Sequence, residues 1–336
     1  MHSSSDRQPR AYCTYFDSGY LSRGLALIES LRRHGDDSPV WVLALDQEAR
    51  DYLDAASIPG VSAIGIEDLE AAVPELAPLK AERSRMEYYF TATPLLVRWV
   101  MDRVAAPGTV AIYLDADLFF FDDPELVLDS LGSGSVGIIE HGYPPSRAAK
   151  LAKYGRFNVG WVGIRDDVAG RACVDWWSAS TLKWCSDTPS EGRYADQGYL
   201  DRFPELFDAV VVLPSKGFNL APWNTAGRKL EHHDGGVNID GRDRLVFMHF
   251  HGVRRVGTWY VSSQLIYRSP MSAVLRDLYA EYARRLDEVE QNLAGALAPP
   301  AVRPRGRGIR GIAARARKWA VDRLSIATGN AVRAHS

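Results

Sequence analysis

Two aspartates, Asp115 and Asp117, interrupt the otherwise apolar run YLDADLFFF at 113–121. Side chains alternate along a strand, so residues two apart share a face. Two carboxylates that close repel, and burying them unpaired is costly. A bound cation removes both problems. The apolar flanks would hold the pair at the C-terminal edge of a strand, where ligands bind in open α/β sheets. An acidic turn that merely ends a strand is the competing reading. The second signal is HFHG at 249–252, after the apolar RLVFM. His249 and His251 would also share a strand face. Imidazole suits a borderline metal such as manganese better than calcium, so one histidine could complete the carboxylate site. A pair of hydrogen-bonded core histidines is the alternative.

Three further segments carry polar groups in apolar settings. ADQG at 195–198 opens a helix. Asp196 there is either an N-terminal cap or, with Gln197, a group beside the reacting centre. Asn158 sits inside FNVGWVGIR at 157–165, and a buried amide needs a partner; a strand-end turn could supply one. FNLAPWN at 218–224 adds Asn219, Trp223 and Asn224. Aromatic faces with amides suit sugar rings, and Trp223 could equally be core. Phosphate clamps could come from Lys80, Arg83 and Arg85, or from Arg254 and Arg255; solvated surface charge is the plain reading of each.

Positioning these groups requires a sheet. AYCTYF at 11–16 reads as a strand, followed by Leu21, Leu25, Ile28 and Leu31 at helical spacing and a stop at Gly35. PVWVLAL at 39–45, a helix over 47–56 and a strand over 61–66 continue a β-α-β-α-β alternation, which predicts a doubly wound, mostly parallel sheet. A helical stretch over about 83–104 contains Pro94, which predicts a kink or two helices. Strands are expected at 110–114, 136–140, 157–164, 209–213 and 245–250. Helices are expected at 167–184, 196–202 and about 271–293. The Pro-, Gly- and Arg-rich segment 297–308 reads as a linker.

Composition narrows the partners. Of 40 Lys/Arg and 42 Asp/Glu in 336 residues, nine basic residues and one acidic lie from Arg303 onward, so residues 1–302 carry 31 and 41, a net of −10. An acidic body argues against nucleic acid as the main partner. Cys13, Cys173 and Cys185 form no C-x-x-C pair, which predicts neither a disulfide framework nor a thiolate zinc site, and a reducing, cytoplasmic compartment. No apolar leader segment is evident in the first ten residues, and no stretch approaches the ~20 apolar residues of a spanning helix.

Together these motifs resemble those of the GT-A glycosyltransferases, closest to the retaining glycosyltransferase family 8 group that includes glycogenin-like and lipopolysaccharide galactosyltransferase-like enzymes. The similarity runs over roughly 11–260. YLDADLFFF resembles the family's YLDAD motif, which implies Asp115 and Asp117 as ligands of Mn2+ or Mg2+, with Asp115 also near the donor ribose. FNVGWVGIR resembles its F-N-[ST]-G block, although Val159 stands at the hydroxyl position; this implies that Asn158 faces the donor sugar. ADQG resembles the D-Q motif, implying Asp196 and Gln197 at the glycosyl centre. HFHGVRRVGTW resembles H-[FY]-x-G-x-x-K-P-W without its K-P-W end. It implies His249 as third metal ligand, Gly252 in the diphosphate loop and Arg255 as phosphate-binding cation. Tyr12, Thr14 and Tyr20 are candidates for the base and ribose pocket, and Arg85 for the phosphates.

The expectation is a GT-A domain over 1–296 with a basic linker and amphipathic tail over 297–336. Its activity would be metal-dependent transfer of a hexose from a nucleotide diphosphate sugar, by resemblance a UDP-sugar, to a hydroxyl of a cell-envelope glycan or glycolipid, with retention. A sugar-1-phosphate nucleotidyltransferase would need a Gly-rich phosphate loop after the first strand, where this chain has FDSGYLSRG. A non-catalytic nucleotide-sugar binding protein would be expected to lack the Asp pair or Asp196. In the tail, Ile309, Ile312, Ala313, Ala316, Trp319, Ala320 and Leu324 recur at helical spacing among basic residues. That is the composition of a helix lying on a membrane surface through 303–324, here the inner face. A helix packed on the acidic body, an oligomerisation element and a disordered tail are the alternatives.

Overall fold

The computed structural model describes residues 7–104, 106–190, 193–233, 235–294 and 309–334. Its main sheet is built from β1 (Arg10–Phe16), β2 (Val40–Ala44), β3 (Val61–Gly65), β4 (Val110–Leu114), β6 (Val136–Glu140), β7 (Phe157–Arg165) and β8 (Val210–Val212), with the short β5 (Leu118–Phe120) outside it. The order is β3-β2-β1-β4-β7-β6-β8. β1 pairs in parallel with both β2 and β4, while β7 runs antiparallel to β4 and β6. The chain leaves β1 for β2 on one side and returns to β4 on the other. The C-terminal ends of β1 and β4 therefore flank a topological switch point, the place where an open α/β sheet offers a crevice. The mostly parallel, doubly wound sheet read from the sequence is present.

Helices cover both faces. They are α1 (Leu21–Arg33), α2 (Gln47–Ala56), α3 (Ile66–Ala72), α4 (Leu76–Glu82), α5 (Arg85–Met101), α6 (Glu125–Leu131), α7 (Ala149–Tyr154), α8 (Val168–Lys183), α9 (Phe203–Leu206), α10 (Ala273–Ala294) and α11 (Ile309–Ala327). Alternation along β1 divides the core. Ala11 and Cys13 join the cluster under α5 and α8, whereas Tyr12 and Phe16 join the one under α1 and α6. Ser84 caps α5 with Glu87 reciprocating, a capping box. That helix runs unbroken through Pro94, so the expected division into two falls instead at Arg83, between α4 and α5. Cys13, Cys173 and Cys185 are buried and free.

The sequence reading is coarser beyond residue 213. β9 (Leu230–His233), β10 (Gly236–Ile239) and β11 (Asp243–Arg244) form a small antiparallel sheet, and β12 (Phe247–His249) pairs with β5. Of the strand expected at 245–250, only Phe247–His249 forms one, as β12; Leu245, Val246 and Phe250 lie outside it. β13 (Arg254–Val256), β14 (Trp259–Val261) and β15 (Ala331–Arg333) make a third sheet. β15 comes from the tail, so the end of the chain is stitched to the loop that follows His249. The linker 297–308 lies outside the described residues. No helix among the described residues is long and apolar enough to cross a membrane.

Candidate active site

β4 ends at Leu114, and the Asp pair lies in the turn that leads to β5, not in a strand. The Leu118 amide donates to the Asp115 carbonyl at 3.1 Å, closing that turn. The Asp115 amide donates to the Gly160 carbonyl of β7 at 2.9 Å, so the turn is fixed to the sheet edge. The carboxylates converge because the turn brings them together, not through strand alternation. Across β5, the Phe250 amide donates to the Asp117 carbonyl at 2.9 Å and carries the His249–His251 segment alongside. His251 likewise lies in a turn just past β12.

The result is a compact acid–imidazole cluster. His249 Nε2 is 2.9 Å from Asp117 Oδ1 and 3.7 Å from Asp115 Oδ2. One ligand atom each from Asp117, His249 and His251 lies within 4.8 Å of the others. With bonds of about 2.1 Å, two ligands of one small divalent ion sit up to about 4.2 Å apart. The arrangement therefore fits a cation after sub-ångström adjustment. The Tyr113 hydroxyl donates to Asp115 Oδ1 at 2.9 Å, orienting it from behind. Burial pushes the Asp117 carboxyl up, but the charge and hydrogen bond of His249, with His251 and Arg23 nearby, hold it at about 2. Burial pulls the His249 imidazole down, and Asp117 more than reverses this. Burial raises Asp115, against the opposing charge of His249. Asp117 is thus held ionised, as a cation site requires, while His249 must shed the proton that Asp117 favours before it can bind a cation.

Behind the cluster lies a buried amide network. Asn158 Nδ2 donates to Gln197 Oε1 at 3.0 Å, and Asn158 Oδ1 accepts from the Gly160 amide and from Asn219 Nδ2. Gln197 Nε2 donates to the Tyr154 carbonyl at 2.7 Å. A Cβ on Gly160 would fall 2.7 Å from Asn158 Oδ1 and 2.9 Å from His249 Nδ1, so glycine there lets network and cluster meet. Asp196 is only 2% exposed, makes no side-chain cap bond to its helix, and its Oδ2 has no partner among the described residues. The capping reading therefore fails. Ala195 just before it has φ +48, a left-handed backbone that costs a non-glycine residue on the order of 1 kcal/mol or more. Burial pushes the Asp196 carboxyl up to about 7, opposed by the Thr93 hydrogen bond and reinforced by the charge of Asp115.

Both groups line one cavity of about 640 Å³. Its other walls hold Tyr15, Asp17, Tyr20, Arg85 and Tyr89 near the end of β1, and an aromatic set, Tyr143, Tyr154, Tyr194, Trp223 and Tyr267. The cavity collects Asn158, Asp115, Asp117, Asp196, Gln197, His249 and Arg85 from the sequence reading. It does not collect four others. Tyr12 is buried on the opposite face of β1, its hydroxyl donating to Asp36 at 2.7 Å, and Thr14 is buried beside it. The crevice forms at and beyond the strand's end, three to eight residues past Tyr12, where Tyr15, Asp17 and Tyr20 stand; of the three residues expected in the base and ribose pocket, Tyr20 is the one that lines it. Arg255 turns to α10, where it meets Glu290 at 2.7 Å and Asp287 at 3.2 Å. Gly252 has φ +71 and packs against Ser263, where a Cβ would lie 2.4 Å from the hydroxyl; it shapes the loop without lining the cavity. Among the other cations, Arg83 bonds carbonyls of α8, Lys80 pairs with Glu70 and Arg254 with Asp322. The sequence reading left out His251 as a definite ligand, and all of the aromatic wall but Trp223. HFHG carried a signal for the first; scattered tyrosines carried none for the second.

No protein-family model matches the chain. YfnF of Bacillus subtilis (strain 168), an uncharacterized protein, is 31% identical over 252 residues, covering 73% of this chain and 82% of its own length. YfnD of the same organism, also uncharacterized, is 30% identical over 285 residues, covering 83% of this chain and 90% of its own. The chain belongs to the family of YfnF and YfnD. Among solved structures, the galactosyltransferase LgtC in complex with donor and acceptor sugar analogs is 19% identical, with a TM-score of 0.50 over 87% of this chain and 98% of that one. This likeness shows the GT-A fold for the chain.

Proposed function

We propose that this chain is a metal-dependent hexosyltransferase that takes a nucleotide diphosphate sugar, by preference a UDP-sugar, and passes the sugar to a hydroxyl acceptor with retention. The observation that carries the reading is the meeting, in one cavity, of the Asp117–His249–His251 cluster and a buried Asp196 whose Oδ2 has no partner among the described residues. Asp115, Asp117 and His249, with His251 beside them, would hold Mn2+ or Mg2+. When bound, the ion would supply Lewis-acid neutralisation of the departing diphosphate. Asp196 would face the anomeric carbon and stabilise the positive charge that develops there. Asn158 and Gln197 would orient the donor sugar, with Gln197 already fixed by three hydrogen bonds. Tyr15, Tyr20 and Tyr89 offer stacking faces for a base, Arg85 a charge near its ribose and phosphates, and the wall of Tyr143, Tyr154, Tyr194 and Tyr267 a surface for an acceptor glycan. Release of nucleoside diphosphate from a UDP-sugar in the presence of manganese tests the proposal.

We also infer that the acceptor is met at a membrane surface. Asp322 of α11 pairs with Arg254, at 2.8 Å to its Nε, and Ser325 is buried. On the same helix Trp319 is 63% and Leu324 52% exposed, alongside exposed Arg317, Lys318 and Arg323, while Val321 and Ile326 are half-buried. Asp322 and Ser325 are buried against the body while Trp319 and Leu324 face outward, which favours a surface-lying anchor. Each basic residue near an anionic leaflet adds about 1 kcal/mol. The full chain is expected to float with vesicles containing phosphatidylglycerol, and Trp319→Glu with Leu324→Glu to remain unbound. Equal flotation of both proteins, or of neither, removes the inference.

A further inference from the structure

The cations that the motif pattern assigned to the phosphates are committed elsewhere. Arg254 and Arg255 are held by Asp322, Glu290 and Asp287; Arg85 does line the cavity, but it shares its charge there with Asp17 at 3.0 Å. A nucleoside diphosphate carries more negative charge than one divalent ion cancels, least of all an ion shared with two carboxylates. A further cation beside the Asp pair is therefore needed.

Arg23, in the first turn of α1, does not itself line the cavity, but it lies close enough to Asp117 for its charge to help hold that carboxyl ionised. Its Nη2 donates to the Val253 carbonyl at 2.8 Å, and its guanidinium lies 4.6 Å from the ring centroid of Tyr20, a cavity-lining residue. It has no ion-pair partner among the described residues. The loop it touches is tied to the metal-ligand candidates. The Phe250 amide donates to the Asp117 carbonyl, the Val253 amide to the Phe250 carbonyl at 3.1 Å, and Gly252 packs on Ser263. A guanidinium has five N–H donors in a planar fork that matches phosphate oxygens two at a time. Only one of its hydrogen bonds, to Val253, is accounted for within the protein.

We propose that Arg23, reaching from α1 across Tyr20 to the 250–253 loop, is the cation that binds the donor's diphosphate, in the role the motif resemblance gives to residue 255. This rests on the hexosyltransferase reading above. The test is calorimetric titration of the full-length protein with manganese and UDP, and separately with manganese and UMP. Arg23→Gln is expected to weaken UDP by about 10- to 100-fold, the range of a lost charge-assisted contact. UMP is expected to change by less than about threefold, because the β-phosphate contact is the one removed. Arg23→Lys should recover part of the loss, and Arg255→Gln should bind UDP like the parent. An equal loss for UDP and UMP would assign Arg23 to bracing the Val253 carbonyl and overturn the proposal. So would unchanged UDP affinity in Arg23→Gln, or a larger loss in Arg255→Gln. A parent protein that binds no nucleoside diphosphate with manganese would overturn the functional reading itself, and this proposal with it.

Discussion

Asp117→Ala is expected to abolish metal-dependent turnover, lowering kcat/KM on the order of 10³-fold or more while the protein stays folded. Lewis-acid neutralisation of a leaving diphosphate is worth several kcal/mol, and about 1.4 kcal/mol is a factor of ten in rate. Asp117 carries the effect because it is the most firmly ionised member of the cluster and shares a 2.9 Å contact with His249. His249→Ala and Asp115→Ala should follow the same pattern. His249 must also lose its proton to become a ligand, and Asp117 raises its pKa. Apparent manganese affinity should therefore tighten as pH rises through neutrality. Circular dichroism would verify the fold and steady-state kinetics with manganese the loss. Full turnover by the unmodified protein in excess chelator would refute metal dependence.

The second large effect concerns Asp196. Asp196→Asn should reduce kcat by about 10²- to 10³-fold, the usual loss when a preorganised charge at the transition state is removed. The ionised carboxylate is the competent form. With its pKa at about 7, activity should fall as pH drops below neutrality and level off above it. A cation held beside Asp115 would counter the Asp115 charge that helps raise this group, so saturating manganese should move the acidic limb to lower pH. The stability linkage has the opposite sign. A carboxyl whose folded pKa is raised above its unfolded value of about 3.9 favours the fold most while it is protonated, and that contribution is lost as pH rises from about 4 to 7. The loss is on the order of 4 kcal/mol at most. Asp196→Asn should therefore melt higher than the parent at pH 8 and much like it at pH 4, while being nearly inactive at both. A flat activity profile from pH 5.5 to 8.5, or a variant retaining more than a tenth of kcat, would remove Asp196 from this role. An inverted anomeric configuration by proton NMR would recast it as a general base.

Which parts of this site could be read without coordinates follows from how local the signal is. The Asp pair, His249 and Asn158 are short polar interruptions in apolar runs, where burial forces such groups to find partners or a ligand, and the Asp196–Gln197 step was legible through its motif. The parallel sheet was legible for the same reason, because β1 to β4 alternate with amphipathic helices. Residues whose role depends on long-range direction were not legible. Arg255 lies three residues beyond Gly252, where the resemblance expects a phosphate cation, but the β13–β14 hairpin turns it toward Glu290. Arg23 sits more than 200 residues away and reaches the same loop. Tyr12 and Thr14 belong to the right strand and the wrong end of it. The small sheets after residue 230 escaped because two- to four-residue strands leave no measurable periodicity, and β15 pairs with β14 across 70 residues of chain.

The central claim is glycosyl transfer, and a single product analysis addresses it most directly. The full-length protein would be incubated with UDP-glucose or UDP-galactose and manganese, with and without a hydroxyl acceptor, and the nucleotide followed by phosphorus NMR. The account predicts UDP as the nucleotide product, an intact diphosphate, and complete suppression by chelator or by Asp117→Ala. Appearance of UTP when pyrophosphate is supplied would make the protein a nucleotidyltransferase. Unchanged UDP-sugar after long incubation with a range of glycan and glycolipid acceptors, despite tight manganese-dependent binding, would leave a nucleotide-sugar binding protein and contradict the account.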